Sequence, residues 1–171
     1  MPEMRGALIA WAGAAAIAGV DLWLKSLAEA HLSLGESGGA LIPGVLELFL
    51  VHNTGAAFGW MAGVGGAAPF LIGVSLLASL LFGYFIWHSA QMDASRQRTW
   101  TLVAFAMLLG GALGNLYDRI VHGHVIDYLH LHLADSSMFV FNLADALLSV
   151  GVGIVLLLQY LGMRQTSEAA D

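Results

Sequence analysis

The sequence has no cysteine and few charged residues, and each shortage excludes classes of protein. Without cysteine, the chain has no disulfide, no thiol nucleophile and no thiolate metal site. Charged residues make up only 11% of the 171 residues, whereas hydrophobic residues make up 58% and the mean hydropathy is +0.78. That balance is typical of an integral membrane protein and not of an ordinary soluble domain.

The chain also lacks a basic cluster. Its six Lys and Arg residues are scattered and the formal net charge is -6, so we expect no nucleic-acid partner. No internal repeat, low-complexity tail or second domain is visible, so residues 1–171 are expected to form a single integral membrane domain. Because the chain has no cysteine, any chemistry must use oxygen or imidazole groups.

The sequence does contain four long apolar stretches. Each is long enough to cross about 30 Å of hydrocarbon as a helix. They cover approximately residues 6–24, 68–87, 99–117 and 138–163. A short polar link joins the second stretch to the third, whereas long, partly apolar connections follow the first and the third.

The Lys and Arg residues predict the orientation. If the N-terminus is cytoplasmic, four of the six cations lie inside, namely Arg5, Arg96, Arg98 and Arg164. Both termini are then cytoplasmic, and both long connections lie on the far side. A cleavable signal peptide is the alternative for the first stretch, because "AEA" at 28–30 is typical of a cleavage site. The single cation of the n-region and the length of the apolar stretch favour a span.

Two acids near the outer ends of the spans lack a local partner. Asp21 precedes Lys25 by one helical turn in "DLWLK", which predicts a structural ion pair. Asp127 in "HVIDYL" is flanked by apolar residues, and Asp145 is expected about two turns, or roughly 10 Å, below the start of the fourth span.

Two carboxyls that are brought close together tend to share one proton at neutral pH, as in the aspartic proteases. In the alternative, Asp145 bonds a neighbouring helix and Asp127 is solvated. Spacing alone leaves both interpretations open.

Five short blocks follow one another along the chain: "DLWLK" at 21, "NTGAAFG" at 53, "GGALGNLYDRI" at 110, "VIDY" at 125 and "FNLAD" at 141. In these blocks the chain resembles the lipoprotein signal peptidases, the type II signal peptidases of bacteria. The resemblance implies an intramembrane aspartyl endopeptidase of the bacterial cytoplasmic (inner) membrane. Such an enzyme removes the signal peptide from a diacylglyceryl-modified prolipoprotein, cutting just before the lipidated cysteine. We expect a monomer that contacts this substrate and membrane lipids.

The resemblance assigns catalysis to the same two acids, Asp127 and Asp145. It places five further residues around the substrate, namely Asn53, Gly55, Asn115, Arg119 and Asn142. It implies no cofactor and no metal in the site. The alternative role of a membrane asparagine is helix-to-helix hydrogen bonding, and that of Arg119 is an interfacial anchor.

The expected fold is an all-α membrane protein with four transmembrane helices, a small extracytoplasmic β-cradle and a periplasmic-side loop. "VLELFLVH" partly alternates like a strand of that cradle. Gly110 and Gly114 form a small-xxx-small pair, which indicates helix packing.

The sequence also allows two other functions, zinc binding and proton-coupled transport. Four histidines, His122, His124, His130 and His132, form two pairs that could hold zinc on the outer surface. The HExxH signature of a metalloprotease is missing, and "LHLHL" also alternates like an amphipathic strand. A proton-coupled transporter subunit would also place acids in spans, but the chain lacks the repeat symmetry of a transporter.

Overall fold

The computed structural model describes residues 2–55, 67–133 and 136–168. Within these ranges four long helices alternate with two pairs of strands, in the order α1 (Pro2–His31), β1 (Ser37–Ile42), β2 (Leu46–Asn53), α2 (Ala67–Ala90), α3 (Arg96–Val121), β3 (Val125–Leu133), β4 (Ser136–Phe141) and α4 (Leu143–Glu168). All four helices are long and apolar enough to cross a membrane. The predicted set of four transmembrane helices with a small β-cradle is confirmed.

One predicted boundary was wrong. The fourth span was expected to begin near residue 138, but α4 begins at Leu143. The reason is tertiary, since residues 136–141 form β4 and pair with β3 instead of continuing the helix. Asp145 therefore lies in the first turn of α4 and not two turns below its start.

The four strands form one antiparallel sheet in the order β1-β2-β3-β4. Strands β1 and β2 come from the connection between α1 and α2, while β3 and β4 come from the connection between α3 and α4. Because β2 pairs with β3, both long connections lie at the same end of the helices. The strand prediction for "VLELFLVH" is confirmed as β2, and the last four residues of "NTGAAFG" lie outside the described residues.

Helix α3 is the centre of the bundle. In the most apolar 18-residue stretch of each helix, about 56% is buried in α3, compared with 22% in α1, 22% in α2 and 11% in α4. A Cβ at Gly110 would lie 2.6 Å from a methyl carbon of Ile17, and a Cβ at Gly114 would meet the carboxylate of Asp21. The packing role predicted for this glycine pair is confirmed, because both residues let α1 approach α3 closely.

The next glycine along, Gly111, faces α4 and sets the depth at which the start of that helix can pack. We expect Gly111→Ala to destabilise the protein by about 1–3 kcal/mol, the usual cost of overpacking. Its Cβ would lie 2.7 Å from the backbone oxygen of Ala144 and 2.9 Å from Leu148, on either side of Asp145. Thermal unfolding in detergent measures the loss.

Gly153→Ala is the matched control, since a Cβ there meets nothing within 4 Å. It should be neutral or stabilising by up to about 1 kcal/mol, because alanine is the better helix former. Equal unfolding temperatures for the two variants would contradict close packing of α3 against α4.

Candidate active site

The start of α4 fixes the position of Asp145. Asn142 stands just before the helix and its side-chain oxygen accepts a hydrogen bond from the backbone N–H of Asp145 at 2.9 Å. In return, the Asp145 carboxylate accepts from the backbone N–H of Asn142 at 3.4 Å. This reciprocal arrangement is a capping box, and it holds the carboxylate at a helix N-terminus, where negative charge is favoured.

Asp127 lies on β3 and is almost completely buried. One of its carboxylate oxygens accepts from the Asn53 amide on β2 at 3.0 Å, and the other accepts from the Asn142 amide at 2.7 Å. Both amides are neutral, so they hold the carboxyl without adding charge. The strand register brings Asn53 and Asp127 together, since Val51 pairs with Asp127 and Asn53 pairs with Val125.

Asn115 of α3 links the second acid to the same network. Its amide nitrogen donates to Asp145 at 2.8 Å, while its oxygen accepts from the Asn142 amide at 3.2 Å. A short chain of side-chain amides therefore joins Asp127 to Asp145. The structure excludes a solvated Asp127, whereas Asp145 does bond the neighbouring helix α3 through Asn115, and one network contains both carboxyls.

The predicted ion pair of Asp21 and Lys25 is present, but it belongs to a larger buried cluster. The Lys25 ammonium lies 2.7 Å from Asp21, 2.9 Å from Asp118 and 2.9 Å from the oxygen of Asn115. Three acceptors thus satisfy its three donors. Because α1 supplies Asp21 and Lys25, this cluster supports a membrane-span interpretation of the first stretch over a cleaved signal peptide.

The same cluster holds the backbone beside each candidate acid. Asp118 accepts from the backbone N–H of Ile126 at 3.1 Å, and Asp21 accepts from the backbone N–H of Ala144 at 2.9 Å. Sequence reasoning missed this role of Asp118, since its neighbour Arg119 obscured the distant partner Lys25. The signal that does exist is the lack of any cation one turn away on the same helix face.

A cleft of about 270 Å³ opens beside Asp145, and we call it the polar cleft. Its lining combines polar and apolar side chains: Asn53, Asn115, Arg119, Val125, Phe139, Val140, Phe141, Asp145, Leu148 and Ser149. The Arg119 guanidinium donates to the carbonyls of Gly55 and Asn115, both at 3.3 Å. Gly55, Asp127 and Asn142 differ from the sequence expectation, because none of them lines the cleft; Asp127 is only 1% exposed and Asn142 has no exposed surface.

The environment of Asp127 disfavours its charged form. Burial, with the nearby charge of Asp145 second, raises the pKa of Asp127 to about 7, although the bonds from Asn53 and Asn142 oppose the shift. At neutral pH the site therefore holds one carboxyl that readily carries a proton beside a second carboxyl at a helix N-terminus. A pair of acids in different environments can divide the roles of general acid and general base.

A family model and curated relatives both match this chain to signal peptidases. A family model described as signal peptidase (SPase) II matches residues 13–161. The lipoprotein signal peptidases of Brucella ovis and Brucella melitensis are each 37% identical over 146 residues, which cover 85% of this chain and 86% of theirs.

Two solved structures, both described as a bacterial membrane enzyme, share the fold. The one at 2.3 Å resolution has a TM-score of 0.76 at 26% identity and covers 94% of this chain and 90% of its own. The one at 1.9 Å resolution has a TM-score of 0.74 at 26% identity and covers 87% of this chain and 90% of its own.

The fold and these matches define a multi-pass membrane protease of the bacterial inner membrane, and its paired carboxyls fit the aspartic class. The chain belongs to the signal peptidase II family. A proton-coupled transporter, the alternative left by the sequence, finds no support in the family or in the fold.

Proposed function

We propose that this protease removes the signal peptide from diacylglyceryl-modified prolipoproteins, cutting just before the lipidated cysteine, with Asp127 and Asp145 as its catalytic pair. The observation that carries the proposal is the joining of these two acids, 18 residues apart in sequence, by one amide network beside the polar cleft. The names of the relatives support lipoprotein signal peptides as the substrate.

The division of labour follows from the two environments. Asp145, ionised at the N-terminus of α4, takes a proton from water as the water attacks the scissile carbonyl. Asp127, protonated, donates a hydrogen bond to the carbonyl oxygen and stabilises the charge that develops there. The proton taken by Asp145 then passes to the leaving amine as the tetrahedral intermediate collapses.

The remaining site residues divide into two groups. Asn142 holds Asp127 from behind the polar cleft and Asn115 holds Asp145 from the wall of the cleft, whereas Asn53 and Arg119 line the cleft and contact the substrate backbone or a lipid carbonyl. The Gly55 carbonyl keeps Arg119 in place at 3.3 Å. Asp21 and Lys25 form the structural ion pair under the site.

Cleavage by the purified protein tests this function directly. In detergent micelles it should cut a lipidated prolipoprotein once, at the bond before the modified cysteine, and mass spectrometry identifies the new N-terminus. The activity should persist in a chelator, because the proposed chemistry uses two carboxyls and water. Cleavage elsewhere, or none at all, would reject the proposed substrate.

The pKa of Asp127 gives the pH profile a definite sign. Because Asp127 must carry a proton, kcat should fall as the pH rises through about 7. Removing the Asn53 amide in Asn53→Ala deletes a bond that favours the ionised carboxylate. The pKa of Asp127 should then rise, and the alkaline limb of kcat should move to higher pH even if the maximal kcat of the variant is lower.

The neighbouring His52→Asn variant is the control for the pH profile, because an imidazole can also titrate in this range. Its alkaline limb should coincide with that of the unchanged protein. A limb that disappears in His52→Asn, or that stays in place in Asn53→Ala, would assign the titration to a group other than Asp127.

We also propose that both termini are cytoplasmic and that the sheet lies outside. The charge asymmetry supports this orientation, and both strand pairs lie at one end of the helices. Reporters fused after Gln91 and Arg164 should appear cytoplasmic, and one fused after Gly35 should appear outside. The reverse labelling would place the site on the cytoplasmic face and reject the orientation.

The working unit is proposed to be a monomer in contact with membrane lipids. Both acids, all three amides and Arg119 come from one chain, so the candidate site needs no second copy.

A further inference from the structure

A second cluster of polar side chains lies on the sheet, away from the polar cleft. It consists of Glu47 on β2 with His130 and His132 on β3, and we call it the Glu47 cluster. Side chains alternate across a strand, so His130 and His132 lie on the opposite face of β3 from Asp127. The family function uses none of these three residues, so their convergence calls for a separate explanation.

The ligand atoms of the Glu47 cluster converge on one point. A single oxygen of Glu47 lies 3.0 Å from Nδ1 of His130 and 2.9 Å from Nε2 of His132. The two imidazole rings are 3.9 Å apart between centroids. A tetrahedral zinc ion with bonds of about 2.0–2.1 Å sets its ligand atoms roughly 3.3 Å apart. Small side-chain adjustments therefore suffice to admit an ion between these atoms.

The backbone around the cluster is already fixed. Glu47 and His130 are direct partners in the register of β2 and β3, and the backbone N–H of His132 donates to the Val45 carbonyl at 2.8 Å. The second oxygen of Glu47 accepts from the Ser37 hydroxyl on β1 at 2.9 Å. Such a bond to a ligating carboxylate is the outer contact that orients metal ligands in known sites.

We propose that Glu47, His130 and His132 bind one Zn²⁺ ion on the face of the sheet opposite Asp127, with water as the fourth ligand. Two imidazoles and one carboxylate are a ligand set that zinc accepts. The side chains of Glu47 and His132 are 23% and 25% exposed, so an ion can enter from solvent. The ion links β2 to β3, the strands that carry Asn53 and Asp127, and its role is to stabilise that pair.

Zinc titration of the full-length protein in detergent tests the site. The protein is freed of its purification tag and of metal, and a chromophoric chelator competes for Zn²⁺. The unchanged protein should bind zinc with a micromolar or tighter Kd, and its unfolding temperature should rise when zinc is added. Cobalt should give the intense visible absorption of a tetrahedral site with nitrogen and oxygen ligands.

Isosteric variants separate a metal site from a hydrogen-bonded cluster. Glu47→Gln and His132→Asn should each weaken zinc binding at least about a hundredfold and remove the thermal shift, whereas Ser37→Ala should weaken binding about tenfold. Glu47→Gln keeps the size of the side chain and a hydrogen-bonding oxygen, so it tests the site even if a histidine variant does not fold.

A neighbouring group supplies the matched control. Glu29, His52 and His124 also lie within ligand distance of one another, but an α-helix, a strand and the segment before β3 supply them. The Glu47 cluster should keep its affinity in His124→Asn. Equal zinc binding by the unchanged protein and by Glu47→Gln, or no binding tighter than about millimolar, would overturn the proposal.

Discussion

Replacing either Asp127 or Asp145 with asparagine should lower kcat at least about a thousandfold, equivalent to some 4 kcal/mol of transition-state stabilisation. Asparagine keeps the shape of the side chain, and its single oxygen can keep one of the two hydrogen bonds that each carboxylate accepts. It cannot take or give the proton that the reaction requires. Initial rates with a lipidated prolipoprotein in detergent measure the loss.

The fold should survive both substitutions. In Asp145→Asn the new amide oxygen can still accept from the Asn142 N–H and so keep the cap of α4, and Asp127→Asn removes a carboxyl whose burial disfavours charge. Circular dichroism and elution volume should therefore match those of the unchanged protein. Asp93→Asn is the matched control, because Asp93 is exposed in the link between α2 and α3. Substantial activity in either active-site variant would end the dyad hypothesis.

The two acids could be found from the sequence because they break a simple rule. A carboxyl in an apolar segment is costly unless something compensates it, and neither acid has a Lys or Arg beside it or one helical turn away. Asp21 does have such a cation, and its predicted pair with Lys25 is present. The reasoning works for contacts within one helix because the 3.6-residue repeat fixes which side chains meet.

Contacts between distant segments could not be found in this way. Lys25 also binds Asp118 and Asn115, which lie about 90 residues further along on another helix. The adjacent residues Asp118 and Arg119 have separate partners. Asp118 forms an ion pair with Lys25, and Arg119 donates to the Gly55 carbonyl. Local spacing shows that Asp118 lacks a cation on its own helix face, but it does not identify Lys25 of α1 as the partner.

The start of α4 was hidden by composition, although a signal for it exists. Residues 138–141 are apolar enough to continue a span, yet they pair with β3 because a neighbouring strand edge is there to receive them. Asn142 and Asp145 have the spacing of a capping box, which indicates a helix that begins at residue 143. Residues 138–141 could continue a helix or form a strand, and pairing with β3 favoured the strand.

The corrected position of Asp145 changes how a substrate reaches the site. The acid lies in the first turn of α4, at the end of the apolar helices where the sheet begins. The polar cleft continues from Asp145 to Leu148, one turn further along the same helix, so its polar and apolar parts adjoin. A substrate whose acyl chains lie in hydrocarbon can therefore present the bond before its modified cysteine at the level of the two acids.

Removing the lipid from the substrate should lower kcat/KM at least about a hundredfold, equivalent to some 2.7 kcal/mol. Two acyl chains provide membrane affinity of about 0.8 kcal/mol per buried CH₂, which the enzyme then need not supply. An unlipidated chain loses its depth at the boundary as well as its affinity, so the scissile bond is positioned less often beside Asp127 and Asp145. The measurement compares two prolipoproteins of identical sequence, one modified and one not, in the same membranes.

A substrate that carries one acyl chain is the informative intermediate for the same assay. If the chains act by holding the cysteine at the depth of the polar cleft, one chain should recover part of the loss, because each buried CH₂ contributes separately to anchoring. If a contact between Arg119 and a lipid carbonyl dominates instead, one chain should recover nearly all of the loss, since a lipid-modified cysteine is present in both substrates. Equal cleavage of the modified and unmodified substrates would mean that the protein reads peptide sequence alone, and the lipid-dependent part of the proposed function would have to be abandoned.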